Sequence, residues 1–399
     1  MITIQSAESA LRNIYLETVI NDINTKTNPF LNMIQKNAKT VSGKEARATI
    51  RYGNQKSVGT GAEGGDLPYG GGKSAEIISP LKNIYGTLRI SDKAVRAAQH
   101  NEKEFASLLG GEMENLIKTA QESLGSMVYG NGLKYLGYIE SINHTTQNFI
   151  VPERFIENFV VGAAFWLMTG NNDKINTNPL TVSAINGNTV TYTGMLATTR
   201  CDRLYVYSTE QTDVDLNGID SIFMPGKVYN LSIADHKQIA PCVVAHNLTN
   251  VNPPALDEDA FMNFMDAYEE HCQGMPADIL LTHPIVRKAV FENLKSLRTN
   301  VADAELSGGF KGFSFNGIPV YADPKCKAGT IYALNSDSWK MHQLCDWTWL
   351  SGDDGSILKQ IDGKAGYAAT LVKYADLICD KPFIQGKVTN YSAKKHTNE

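Results

Sequence analysis

Between Gly59 and Lys73 the chain reads GTGAEGGDLPYGGGK, seven glycines in fifteen residues, and no other stretch narrows its folding options so far. Glycine brings no apolar area to a core and loses the most backbone entropy on ordering. On either side, residues 46 to 52 and 75 to 90 are β-compatible. Two strands around a polar, glycine-rich tip make a long hairpin that protrudes, and the surface that orders it has to come from elsewhere. A neighbouring subunit is the natural source, so the sequence points to a component of an assembly.

The flanking segments have clearer periodicity. Leu11, Ile14, Tyr15, Val19 and Ile23 share one face of a helix over residues 6 to 23, Asn28-Pro29 breaks it, and Phe30, Leu31, Met33 and Ile34 form a short second apolar turn. Ser91-Asp92 offers an N-cap, and Phe105, Leu108, Leu109, Met113, Leu116, Ile117, Ala120, Leu124 and Val128 then mark the longest helix, roughly 36 Å at about 1.5 Å per residue. Glycines at Gly130 and Gly132 stop it. Residues 133 to 225 carry few charges and read as β-rich, with a hairpin at Asn186-Gly187-Asn188 and a further strand at 203 to 209, so an inserted β domain is expected.

From Leu256 the pattern is mixed. Asp257 can cap a helix bearing Phe261, Phe264, Met265, Tyr268 and Cys272; a strand follows at 278 to 282, a helix opened by Pro284, and strands at 318 to 322 and 330 to 334. The chain ends in β structure, with strands around Trp347 and Trp349, at 357 to 361 and at 367 to 378, separated by turns at Asp354-Gly355 and Asp362-Gly363. The 399 residues allow two or three domains at about 150 residues each, and the fold class expected is α+β.

Chemistry is sought and not found. Gly70-Gly71-Gly72-Lys73-Ser74 resembles the end of a phosphate-binding loop, but Leu67 stands where the first glycine belongs and an extended segment follows instead of a helix. Gly312-Phe313-Ser314-Phe315-Asn316 lacks the last glycine of a nucleophile elbow and is read as a loop. His236, Cys242 and His246 match no zinc spacing, and the acidic runs at Asp257-Glu258-Asp259 and Asp353-Asp354 are explained by a helix cap and a turn. Trp339, Trp347 and Trp349 fit one face of a buried strand better than a base-stacking platform. No catalytic residue, cofactor or metal is assigned.

Six cysteines without a CxxC fit reduced thiols. No signal peptide or membrane-spanning stretch is visible. With 37 basic against 42 acidic residues, net −5, no global field holds nucleic acid, and contact with DNA is expected to be weak and non-specific.

The order of these elements resembles a tailed-bacteriophage major capsid protein of the Hong Kong 97-like fold. Two stretches carry the resemblance, residues 45 to 135 and 345 to 395. In the first, Leu81-Lys-Asn-Ile-Tyr-Gly-Thr-Leu-Arg-Ile-Ser-Asp-Lys-Ala-Val-Arg-Ala-Ala98 looks like the return strand of the extended loop entering the spine helix. In the second, Asp346-Trp-Thr-Trp-Leu-Ser-Gly-Asp-Asp-Gly-Ser-Ile-Leu358 and Tyr367-Ala-Ala-Thr-Leu-Val-Lys-Tyr374 look like closing strands of the peripheral domain.

The resemblance implies an N-terminal arm at 1–45, an extended loop at 46–90, the spine helix of the peripheral domain at 91–132, an inserted β domain at 133–225, an axial α/β domain at 226–344, and peripheral strands with a C-terminal tail at 345–399. It implies a viral structural protein that self-assembles as hexamers and pentamers into an icosahedral head in the host cytoplasm, with portal, scaffold and decoration proteins as partners and no enzyme activity. Inter-subunit contacts are expected from Tyr52, Leu67, Tyr69 and Lys73 of the loop. No scaffolding segment is expected ahead of the arm. Some relatives crosslink a loop Lys to an Asn of another subunit; Lys73 stands where such a donor would be, but no acceptor or acidic catalyst is identified, and a crosslink is not expected. The alternatives are an encapsulin-like shell around a cargo protein, which shares the fold, and a soluble hydrolase with the β segment as a carbohydrate-binding module, for which clustered acids and bases are missing.

Overall fold

Strict alternation over Lys82–Ser91 buries Ile84, Leu88 and Ile90 and turns Asn83, Tyr85, Thr87 and Arg89 outwards, the pattern of a strand with one face against a core. The computed structural model describes residues 23, 28–37, 40–53, 57–60, 66, 70–93, 102–169, 174–196, 204–212, 215–245, 258–272, 274–284, 286–287, 303–306, 310–315, 317–327, 329–352 and 355–389. The helix expected at 6 to 23 therefore lies, except for Ile23, outside the described residues, as does the cap expected from Asp257.

In chain order, α1 (Pro29–Met33) is followed by β1 (Gln35–Asn37), β2 (Val41–Ser42), β3 (Glu45–Tyr52), β4 (Lys73–Pro80) and β5 (Lys82–Ser91). The long helix α2 (Glu102–Met127) leads to β6 (Leu133–Tyr138), β7 (Ser141–Asn143), β8 (Asn148–Ile150), β9 (Ala164–Met168), β10 (Leu180–Asn186), β11 (Thr189–Thr193) and β12 (Tyr205–Thr212). Then come β13 (Lys227–Val228), β14 (Leu231–Ser232), β15 (Cys242–Ala245), α3 (Glu258–His271) and β16 (Ile279–Thr282). The chain closes through β17 (Asp303–Leu306), β18 (Phe310–Phe315), β19 (Ile318–Ala322), β20 (Ile331–Leu334), β21 (Trp339–Trp349), β22 (Lys359–Gln360), β23 (Gly366–Cys379) and β24 (Gly386–Thr389).

A five-stranded sheet has β23 at its centre. On one side β23 pairs with β5 along ten positions, from Ser91 opposite Gly366 to Lys82 opposite Ala375; on the other it pairs with β21 and β22. The short strand β1 runs parallel to β21 at the outer edge. Helix α2 lies on this sheet with Met113 and Leu124 buried, and comes so close to β5 that a Cβ on Gly86 would stand 3.1 Å from Leu116 Cδ1. Trp339, Trp347 and Trp349 are all buried on β21, as the period-two reading expected.

The second sheet is mixed and seven-stranded, ordered β15-β24-β20-β16-β19-β18-β17. Helix α3 covers it with Phe261, Phe264, Met265, Tyr268 and Cys272 buried, the face predicted from the spacing. A Cβ on Gly386 would sit 2.5 Å from the Tyr268 ring, so glycine is needed there. One expectation is overturned here: Phe310–Phe315 is a strand, not a loop, and pairs antiparallel with β19, with Gly317 between them at φ +80°. The register sets Phe313 opposite Val320 and Phe315 opposite Ile318, residue types of high β-propensity at paired positions.

The third sheet is antiparallel and is built only from residues 133–212, in the order β6-β12-β9-β10-β11-β8-β7. The expected hairpin forms between β10 and β11, with Gly187 at φ +56°. One face carries its own apolar cluster, including Phe149, Phe165, Leu167, Val182, Val190 and Val206. The opposite face carries Met168, Tyr205 and Tyr207.

The chain enters and leaves this sheet at adjacent points. Ile219 N donates to Val128 O at 2.6 Å, and a Cβ on Gly218 would fall 2.4 Å from Met127 O, 2.5 Å from Val128 O and 2.6 Å from Gly130 N. Backbone cannot retreat from such a contact as a flexible side chain can. Gly218→Ala is therefore expected to cost about 2–3 kcal/mol in urea unfolding, the range of an overpacked site, whereas Gly111→Ala, on an open face of α2 with nothing within 4 Å, should gain about 0.5–1 kcal/mol. Equal effects of the two substitutions would contradict the crossing.

Candidate assembly surface: the hairpin and the carboxylates that hold it

β3 and β4 pair in continuous register from Glu45 opposite Pro80 to Tyr52 opposite Lys73. One face of the ribbon, Ala46, Ile50, Tyr52, Ile77 and Ser79, is buried in the main core; Arg47, Thr49, Arg51, Ser74 and Glu76 face out. The hairpin that the sequence reading left free-standing is thus supported by its own chain up to Tyr52 and Lys73. Arg47 lies 3.4 Å from Glu45 and 3.6 Å from Glu76, about half-exposed pairs worth no more than about 1 kcal/mol each. On the outer edge of β4, Asn230 replaces a neighbouring strand: its amide oxygen accepts from Ile78 N and its amide nitrogen donates to Glu76 O, both at 3.2 Å.

The structure distributes the four expected contact residues differently. Tyr52 is turned inwards, its hydroxyl 2.6 Å from His236 Nδ1 and the two rings edge to face, because its place in the alternation puts it on the buried side. Lys73 is exposed at the mouth of the hairpin. Leu67 and Tyr69 lie outside the described residues. Among the tip residues described, Val58 is 93% exposed, Asp66 is exposed, and Gly71 has nothing within 4 Å of where a Cβ would be. An apolar side chain left so open gains roughly 1.5–3 kcal/mol if another surface covers it.

What fixes the root of the hairpin is a buried carboxylate. Asp376 on β23 accepts from Ser79 Oγ at 2.6 Å, from Asn217 Nδ2 at 2.8 Å and from Asn217 N at 3.0 Å. One side chain joins the hairpin, the exit from the third sheet and the central strand. Burial pushes the Asp376 carboxyl up to about 6, against the hydrogen bonds from Ser79 and Asn217 and the charge of Lys82. Burial also pushes the neighbouring Asp215 up to about 6.

Three more aspartates act in the same way. Asp220 meets Lys327 from the loop between β19 and β20, Lys387 from β24 and Tyr332 from β20; burial would raise its carboxyl, but the two ammonium groups outweigh it and hold it below the usual range. Asp323 accepts from Asn28 Nδ2 at 2.7 Å and Tyr129 Oη at 3.2 Å, while Asn28 Oδ1 caps α1 through Phe30 N and Leu31 N. Asp346 on β21 binds Lys373 at 2.6 Å and Lys36 on β1 at 2.9 Å; burial is outweighed by Lys373, and its carboxyl falls to about 2. Lys325 N and Trp347 N donate locally to Asp323 and Asp346, but the side chains that join these groups to other elements lie far away in sequence, so spacing could not reveal them.

Metal chemistry finds no geometry here. His236 is engaged by Tyr52, burial raises the Cys242 thiol to about 11, and His246 lies outside the described residues. Among the described residues no group of three His, Cys, Asp or Glu side chains could hold a metal ion, and no helix is long and apolar enough to cross a membrane.

Where β1 meets β21, the buried His342 ring has Nδ1 2.5 Å from Thr40 Oγ1, and burial together with Lys340 lowers its pKa to about 4, against the opposing charge of Asp380. A folded value below the ordinary 6.5 means the unfolded chain binds more protons between the two. Stability is therefore fully present above about pH 6.5 and lost as pH falls through about 4, by about 3 kcal/mol. Asp376 acts with the opposite sign, so the test is a difference: from pH 6.5 to 4 the wild type should lose about 3 kcal/mol more than His342→Gln in chemical unfolding. Parallel pH profiles would refute it.

No protein-family model and no curated protein matches the sequence. Among solved structures the chain is similar to the capsid asymmetric unit of cyanophage A-1(L), at 12% identity over 91% of this chain and 93% of that one, with a TM-score of 0.52. Also similar are the capsid of Myoviridae phage XM1 (10% identity, 90% of each chain, TM-score 0.44) and the holo-SrpI encapsulin of Synechococcus elongatus PCC 7942 (11% identity, 94% and 91%, TM-score 0.46). The cyanophage likeness shows the shared fold: α+β, mostly β, of the tailed-phage capsid type that the sequence resemblance implied.

Proposed function

We propose that this chain is the major capsid protein of a tailed bacteriophage, a structural subunit that builds a closed shell. The observation that carries it is the likeness to the cyanophage capsid over nine-tenths of both chains. The physical account runs the same way: the ribbon β3–β4 is fastened to its own subunit at one end and carries an open, glycine-dense tip at the other. Head-to-tail contacts of that kind close into rings and curved lattices.

In this reading residues 1–45 are the arm, 46–90 the extended loop, 91–132 the spine helix of the peripheral domain, 133–225 the inserted β domain, 226–344 the axial domain, and 345–399 the peripheral strands and tail. The separate apolar cluster of the third sheet and the side-by-side crossing at Gly218 support an insertion. The subunits form hexamers and pentamers in the host cytoplasm, together with a portal, a scaffold and decoration proteins, and the acidic balance suits a container that does not grip its DNA.

Deleting residues 59–72 tests this directly. The tip described adds little to the core, so the truncated subunit should keep its circular dichroism and unfold cooperatively. Light scattering should then find particles from the full chain, expressed with any scaffold it needs, and only small species from the deletion. Full-sized particles from the deletion would sink the proposal.

A further inference from the structure

A cleft of about 450 Å³ opens between the third sheet, the end of α2 and the loop after β19. Five rings form one wall: Tyr135, Tyr138 and Phe155, which are half-buried, over Tyr205 and Tyr207, which are buried. Phe155 lies edge to face with Tyr135 at 5.7 Å and with Tyr138 at 5.6 Å, so the wall is continuous. The opposite side brings Lys325, Lys327 and His283, together with one acid, Glu122, which with Asp323 acts on Lys325.

The placing of Lys325 is itself built. Its side chain crosses α2 at Gly125, where a Cβ would stand 2.4 Å from Nζ, and the ammonium donates to Gln121 O at 3.1 Å. A glycine inside a helix costs about 1 kcal/mol relative to alanine. Here it makes room for a cation at the cleft. Clefts of this size between structural units, apolar and aromatic with a few polar groups, are typical binding sites.

The hairpin tip has the complementary chemistry. Between Ser57 and Gly72 it holds two acids, Glu63 and Asp66, and no Lys or Arg, and its largest apolar cluster is Leu67-Pro68-Tyr69. Pro68 fixes its own φ and lowers the entropy lost when the segment is ordered. We propose that Asp66-Leu67-Pro68-Tyr69 of one copy occupies this cleft of a neighbouring copy, with the Tyr69 ring on the wall of Tyr135 and Phe155 and the Asp66 carboxylate beside Lys325. This rests on the reading of the chain as a shell subunit. Ring packing of this type adds about 0.5–1.5 kcal/mol beyond area burial, and the charge pair fixes the register.

The test is a disulfide. Tyr69→Cys and Tyr138→Cys are combined in the full chain, assembled, oxidised and run on a non-reducing gel, with each single variant as control. With Cys326, which lines the same cleft, replaced by Ser in every variant, each copy has one introduced donor and one introduced acceptor, so the double variant should give a ladder of covalent oligomers that neither control shows. Asp66→Lys, at an exposed position that leaves the fold intact by circular dichroism, should lower the ladder yield about fivefold, the upper end for a partly exposed charge pair. Particles that form without a ladder overturn the inference and leave the shell reading standing. A disulfide within one chain, migrating as monomer, also overturns it, and unchanged yield with Asp66→Lys overturns the pairing with Lys325. A chain that stays monomeric under every assembly condition removes both readings.

Discussion

Asp376 is the point on which the rest of the structure depends. A single carboxylate at the middle of the molecule accepts hydrogen bonds from the hairpin, through Ser79, and from the exit of the third sheet, through Asn217. Removing one partner of such a buried group typically costs several kcal/mol, because the other is left unsatisfied. The bonds do more than add stability: they determine where the hairpin and the third sheet stand relative to β23. Asp220, Asp323 and Asp346 repeat the device, joining segments that are distant in sequence, the last two reaching the N-terminal segment through Asn28 and Lys36. Apolar packing would tolerate small slides between these layers, whereas directional bonds to a carboxylate do not.

That rigidity gives the division of the hairpin its meaning. Its strands are buried on one face and bonded at the root, so they behave as part of the body; the tip described offers glycine, an exposed valine and an acid. A stiff arm with an adhesive end transmits the geometry of one subunit to the next. In the proposed shell, curvature would follow from how the hairpin is set at Asp376 and Asn230, and the aromatic cleft beside Lys325 is the receptor proposed for its tip.

Much of this was legible in the sequence where the signal is local. Helical periodicity from Phe105 to Val128 located α2, which runs Glu102–Met127, and the period of two in Trp347 and Trp349 located a buried strand. Asn186-Gly187 marks a hairpin; Asn316-Gly317 carries the same signal, but the near-match of Gly312 to Asn316 to a nucleophile motif competes with its alternating phenylalanines. The hairpin is visible from its glycines, yet not the side on which Tyr52 falls, since His236 stands 184 residues away. The aspartate junctions were illegible for the same reason: Ser79 and Asp376 are 297 residues apart, and no spacing rule joins them.

A cryo-electron microscopy reconstruction of the assembled protein tests the central claim most directly. The account predicts a closed icosahedral shell in which β3 and β4 stay packed on their own subunit and density for residues 59–72 lies against a different one. Closed shells in which that segment contacts only its own subunit, or a protein that forms no shell at all, would contradict it.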